Sequence, residues 1–159
     1  MSAAHYITHL QMEPHPEGGY FKQTYCSPHS VTTPAGERPY STAIYYLLEQ
    51  GDFSAFHRLK SDECWHFYAG GTLIIHIIEP NGNYYSTRLG NKVQAGEQPQ
   101  FVVPAGLWFG AEPAEGSAFS LAGCTVAPGF VYQDFEMADK AALLKEYPRH
   151  HAIIHHLCR

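Results

Sequence analysis

An all-β, antiparallel jelly roll or small barrel with short helices at both ends is the fold this sequence predicts, and three observations predict it. From Tyr20 onward the chain shows about nine or ten short strand-like runs, bounded by turn residues at roughly 8 to 12 residue spacing. No helical pattern of crossover length lies between those runs, which argues against a doubly wound parallel sheet. Rings are abundant: 11 Tyr and 9 Phe in 159 residues favour β-structure and exceed what packing alone requires.

Taken in order, Ala3 to Met12 carries Ile7 and Leu10 at helical spacing and predicts a short amphipathic helix ending before Pro14. Glu17-Gly18-Gly19 leads into an aromatic strand, Tyr20 to Tyr25; its glycines serve a bend or let Glu17 and Tyr20 come close to a ligand. Cys26 to Pro39 is rich in Pro, Ser, Thr and Gly and reads as an exposed loop closed by Arg38. Ser41 to Leu48 is apolar on both faces, as a strand buried on both sides must be.

The stretch Ser54 to Gly71 holds the densest chemistry. His57 and Leu59 alternate on one strand, Lys60-Ser61-Asp62 turns, and Glu63, Trp65 and Phe67 alternate along the next. Antiparallel pairing of these strands brings His57 and Glu63 to one side, while His66 faces the other with Cys64 and Tyr68. Leu73 to Glu79 and Tyr84 to Arg88 form a hairpin through Asn81-Gly82. Gln100 to Val103, Trp108 to Ala111, Ala118 to Val126 and Phe130 to Met137 complete the strands. Asp139 to Tyr147 has helix formers behind an acidic start, and the tail beyond it, with His150, His151, His155 and His156, reads as a surface segment. One domain over 1-159 is expected, with a barrel core at about 20-136 and a helical tail at about 138-159.

A net charge of -5 with no run of Lys or Arg lacks the footprint of a nucleic-acid binder. No stretch approaches about 18 apolar residues, and the start of the chain has no basic or apolar targeting pattern. A soluble, cytoplasmic protein without membrane or nucleic-acid partners is expected. Cys26, Cys64, Cys124 and Cys158 form no CxxC pair and read as reduced thiols.

His57, Glu63 and Gly70 fall on the spacing of the first signature of the cupin superfamily, with Leu59 in the place of its second histidine. Pro104-Ala105-Gly106 matches the second signature, with Phe109 where its histidine stands. Together with His15-Pro16-Glu17-Gly18-Gly19-Tyr20-Phe21, Ala43-Ile44-Tyr45-Tyr46-Leu47-Leu48 and Val126-Ala127-Pro128-Gly129-Phe130, the chain resembles an uncharacterised, single-domain branch of the cupins. That resemblance implies a double-stranded β-helix and a homodimer. Two of the four usual metal ligands are replaced by apolar side chains, so no cofactor is expected; His57 and Glu63 remain as a weak metal-binding pair.

His57 beside Glu63 is similar to the metal-free sugar-nucleotide epimerases of the superfamily, which implies His57 as catalytic base and Glu63 as its orienting partner. Trp65, Phe67, Phe101, Phe109 and Tyr46 are expected as walls of a ligand cavity, with Tyr20, Glu17 and Arg38 as further ligand contacts. Three functions stay open: a metal-independent isomerase or epimerase of a sugar or keto compound, a non-catalytic carrier or sensor of a small apolar or aromatic ligand, and a metal-dependent enzyme with an irregular site.

Overall fold

The computed structural model describes residues 1-159. Its strands, in chain order, are β1 (Glu13–Pro14), β2 (Tyr20–Cys26), β3 (Ser30–Thr33), β4 (Gly36–Pro39), β5 (Thr42–Glu49), β6 (Ser54–Leu59) and β7 (Asp62–Gly70). There follow β8 (Leu73–Ile78), β9 (Tyr84–Leu89), β10 (Gln100–Val103), β11 (Trp108–Pro113), β12 (Phe119–Ala127) and β13 (Phe135–Met137). Helices α1 (Ala3–His9), α2 (Lys140–Glu146) and α3 (His151–Leu157) flank them. A six-stranded sheet in the order β1-β2-β5-β12-β7-β10 faces a five-stranded sheet in the order β13-β6-β11-β8-β9. Neighbouring strands in both sheets are antiparallel, as the jelly-roll expectation required.

Alternation decides what lies between the sheets. On β8, Leu73, Ile75 and Ile77 point inward, where they meet Tyr46, Leu48, Trp65, Val103 and Val126 of the opposite sheet and Phe109 and Leu59 of their own. The alternate residue Ile78 points outward, and β8 is still apolar on that face because the C-terminal helices cover it: Phe56, Ile78 and Trp108 pack on Leu143, Tyr147, Ile154 and Leu157. The outer face of the six-stranded sheet is covered in part by α1, where Ala3 and Met12 meet Leu47, Phe119 and Leu121.

Three expectations change. The first helix stops at His9, and Gln11 adopts a left-handed backbone that redirects the chain. Cys26 to Pro39 is not an open loop: β3 and β4 form a hairpin, held by Arg38, whose guanidinium makes a two-pronged contact with Asp134 at 2.6 and 2.8 Å. The histidine-rich tail is an ordered helix rather than a loose surface segment. Its Ile154 and Leu157 are fully buried, its His156 reaches Glu112 at 2.6 Å, and Arg159 beyond it reaches Asp52 at 3.0 Å. No helix is long and apolar enough to cross a membrane.

Removing most of a fully buried side chain leaves a void that its neighbours fill only in part, at a cost of about 2 to 5 kcal/mol. Ile154→Ala is therefore expected to lower the urea midpoint by that order of stability; an unchanged midpoint would show that α3 unfolds apart from the barrel.

Candidate functional site

The turn from β1 to β2 carries the side chain around which the site is built. Its backbone is strapped to both sheets: Ala55 N–H donates to the Glu17 carbonyl at 2.8 Å, and the Tyr46 hydroxyl donates to the Gly18 carbonyl at 2.6 Å. Gly18 and Gly19 both have positive φ, and a Cβ on either would collide with the carbonyl of Phe53 or Leu47. The glycines thus let the turn sink between the sheets. What that approach delivers is the Glu17 carboxyl, 5 % exposed, with Oε2 at 3.1 Å from His57 Nε2 on β6.

The position of the proton in this contact follows from geometry. His57 Nδ1 lies 2.8 Å from the Ala55 carbonyl, which only accepts, so Nδ1 carries hydrogen. In a neutral ring Nε2 then holds a lone pair, and a carboxylate oxygen at 3.1 Å would repel it. A second proton must sit between Oε2 and Nε2. Burial pushes the His57 pKa down to about 4 and raises that of Glu17, so the uncharged arrangement, carboxylic acid donating to imidazole, is the favoured one. His15 stands beside them, Nδ1 3.7 Å from Glu17 Oε1 and accepting from the Glu17 N–H at 3.3 Å. Burial lowers its pKa as well.

Glu63, on β7, shares the same cavity, but its carboxyl is bound elsewhere: Oε2 accepts from Trp65 Nε1 at 2.8 Å, and Oε1 has no hydrogen-bond partner in the chain. Burial, followed by the nearby Glu17 carboxyl, raises its pKa to about 8. The residue expected to orient His57 is therefore not the one in contact with it. Glu17, expected only as a ligand contact, takes that place, because a turn strapped across both sheets reaches β6.

The cavity measures about 360 Å³ and opens at one end of the sandwich between β2, β5, β6, β7, β12 and the segment after β12. Its acids and imidazoles are Glu17, Glu63, His15 and His57; its walls are mostly apolar, with Phe21, Ile44, Leu59, Val126, Phe130 and Phe135 prominent. Of the expected walls, none of Tyr46, Trp65, Phe67, Phe101 and Phe109 lines it. Tyr46, Trp65 and Phe109 form a buried layer behind the polar floor, with the Phe109 ring centre 4.1 Å from that of His57 and those of Tyr46 and Trp65 5.6 Å apart. Phe67 and Phe101 pack on the same core. Tyr20 faces outward toward α1, and its neighbour Phe21 takes the inward position by alternation. Arg38 spends its guanidinium on Asp134 and the Ala35 and Glu37 carbonyls, which fixes the turn carrying Tyr132 beside the cavity.

Sequence reasoning missed His15, Phe130, Tyr132 and Phe135. The signal for the last three is the ring cluster after Pro128-Gly129; where the sequence predicts a continuous strand, the structure has a helical turn, Tyr132–Asp134, followed by β13. His66 lies on the outer face as expected, 3.1 Å from the Thr125 hydroxyl.

The donor set does not suit a resident divalent ion. Leu59 lines the cavity where an imidazole would be needed, Phe109 is packed behind His57, and no three His, Cys, Asp or Glu side chains converge on a common point.

Two facing antiparallel sheets enclosing a small cavity with an acid–imidazole floor define a cupin-type barrel. The family model described as "Cupin superfamily (DUF985)" matches residues 4-138, and the chain belongs to that family. A hypothetical protein from Leishmania major has the same fold at TM-score 0.93 and 37% identity over 99% of both chains. A Shewanella oneidensis protein matches at TM-score 0.93 and 42% identity, covering 100% of this chain and 98% of its own. An uncharacterized protein of Saccharomyces cerevisiae is 30% identical over 143 residues, 80% of this chain and 71% of the yeast protein. Oxalate decarboxylase of Bacillus subtilis is similar in fold alone, at 17% identity and TM-score 0.57 over 91% of this chain and 36% of the enzyme.

Glu63 supplies a test of the electrostatics. It keeps its proton to about pH 8 when folded but loses it near the ordinary value of 4.5 when unfolded. Across that window the unfolded chain binds fewer protons, so Glu63 reduces stability as pH rises, and the reduction is complete above about pH 8. Glu63→Gln keeps an acceptor for Trp65 and removes the titration. Its urea midpoint is expected to gain on wild type steadily between about pH 5 and 8; a constant difference would mean that Glu63 ionises normally.

Proposed function

We propose that this barrel is a metal-independent isomerase of a small carbonyl compound, with Glu17 and His57 as the proton-moving couple. The observation that carries it is the 3.1 Å contact between a buried carboxyl and a buried imidazole lining a mostly apolar cavity, with the other ring nitrogen anchored on the Ala55 carbonyl. Neutral His57 is a base once a ligand takes the place of the Glu17 contact, since Nδ1 stays anchored on the Ala55 carbonyl and Nε2 has its lone pair free. Glu17 gives its proton to the ligand's carbonyl oxygen while Nε2 takes a proton from the adjacent carbon. The product is an enol beside an imidazolium–carboxylate pair. Return of a proton to the other face or the neighbouring carbon completes the isomerisation, with no oxidant or reductant consumed.

Deuterium uptake by a panel of small ketones and aldehydes in D₂O, followed by proton NMR, tests this. Glu17→Gln and His57→Gln are each expected to slow uptake by about 10²- to 10⁴-fold while still folding; uptake unchanged in both would overturn the assignment.

A second reading has its own support. Both His57 nitrogens are engaged within the chain, and ten of the seventeen lining residues are hydrophobic, which suits a carrier that holds its ligand without reacting. A carrier would be stabilised against heat by its ligand and would catalyse no exchange.

A further inference from the structure

The cavity makes a definite demand on ligand charge. Glu17 and Glu63 both face it, and no Lys or Arg does. Two guanidinium groups on neighbouring elements are already paired: Arg38 with Asp134 at 2.6 and 2.8 Å, and Arg58 with Glu136 at 2.8 and 3.0 Å. Glu63 is 93 % withdrawn from solvent, with one oxygen bound to Trp65 and the other unpartnered toward the cavity. That second oxygen is not sealed from solvent, so it is the one open to a ligand in the cavity.

The same cavity has an aromatic wall. Phe130, Tyr132 and Phe135 are set edge to face, with ring centres 5.1 Å apart for Phe130 and Tyr132, 6.1 Å for Phe130 and Phe135 and 6.4 Å for Tyr132 and Phe135. Phe21 lines the cavity from β2. Ring faces attract organic cations and do nothing for anions, and a carboxylate with rings around it is a common recognition pattern for protonated amines.

We infer that the ligand carries a protonated amine, which pairs with Glu63 and lies against the Phe21, Phe130, Tyr132 and Phe135 rings. This rests on the reading of the cavity as a small-molecule site and adds its charge class. An anionic ligand, whether carboxylate or phosphate, would meet no lysine or arginine side chain in the lining.

Pairing has a proton consequence. Empty, Glu63 holds its proton through neutral pH; an ammonium group favours its ionised form, so binding expels that proton. Other titratable groups face Glu63 and bear on this exchange: Glu17 and His15 from the turn, His57 from β6, Cys26 from β2, Cys124 from β12, and Tyr132. Of these, Glu17 opposes Glu63 ionisation only in its charged form, and burial keeps His15 and His57 from supplying the missing positive charge. The affinity for an amine should therefore rise up to about tenfold per pH unit below pH 8 and level off above it.

Benzylamine, benzyl alcohol and benzoate share one ring and differ in charge, and serve as probes. Titration calorimetry at about pH 6, 7 and 8, in two buffers of different ionisation enthalpy, reads both affinity and protons released. Expected are the order benzylamine, benzyl alcohol, benzoate, an affinity for benzylamine that climbs with pH, and release of up to one proton. In Glu63→Gln the preference for benzylamine over benzyl alcohol should disappear while benzyl alcohol still binds. Equal affinity of benzylamine and benzyl alcohol in the wild type, or tightest binding of benzoate, overturns the charge assignment and leaves the cavity reading standing. Binding of none of the three overturns both.

Discussion

A carboxyl sealed against an imidazole between two sheets is the constraint from which the rest of the site follows. Glu17 reaches His57 because a two-glycine turn is pressed between the sheets, with Ala55 of one and Tyr46 of the other bonded to its carbonyls. The contact sits in surroundings too apolar to stabilise separated charges, so both groups are driven toward their neutral forms. The contact is thus a hydrogen-bonded neutral acid and base lining the cavity rather than an ion pair.

The parts distant from the site serve it through connected contacts. Asp52 accepts from the Gly19 N–H at 2.8 Å and from Arg159 at 3.0 Å, so the end of the chain beyond α3 steadies the turn that carries Glu17. Arg38, drawn from the β3–β4 hairpin, clamps Asp134 and thereby positions the helical turn whose Tyr132 stands at the cavity. Tyr46, Trp65 and Phe109 form the buried backing of the floor, and Trp65 in addition fixes one oxygen of Glu63. The rings near His57 thus divide into a layer behind the polar groups and a wall that lines the cavity.

Departure from the usual cupin metal set has a structural counterpart. Where Leu59 and Phe109 replace imidazoles, the remaining polar groups turn to one another and to the backbone: His57 to Glu17 and Ala55, Glu63 to Trp65. The site retains two acids and two imidazoles, so it is not chemically inert.

Most of the fold was legible in the chain by itself. The apolar run Leu73–Ile78, the alternation in Asp62–Gly70, the Asn81-Gly82 turn and the spacing of His57, Glu63 and Gly70 are local properties, and local sterics and hydrophobic burial suffice to read them. His57 and Glu63 do share the interior, but not by the antiparallel pairing expected of their strands: β6 and β7 lie in different sheets and the two side chains reach the cavity from opposite sides. What the chain could not disclose was partnership. Glu17 is forty residues before His57 in sequence, and only the strapping of its turn to both sheets makes it, and not Glu63, the group that shares the histidine's proton. The ligand-facing wall came likewise from a segment read as strand, and the histidine tail gained order from a surface that Phe56, Ile78 and Trp108 offer only once β6, β8 and β11 are aligned. Alternation says which side of a strand a residue faces; which residue it meets there depends on the packing of two sheets, and no local pattern encodes that.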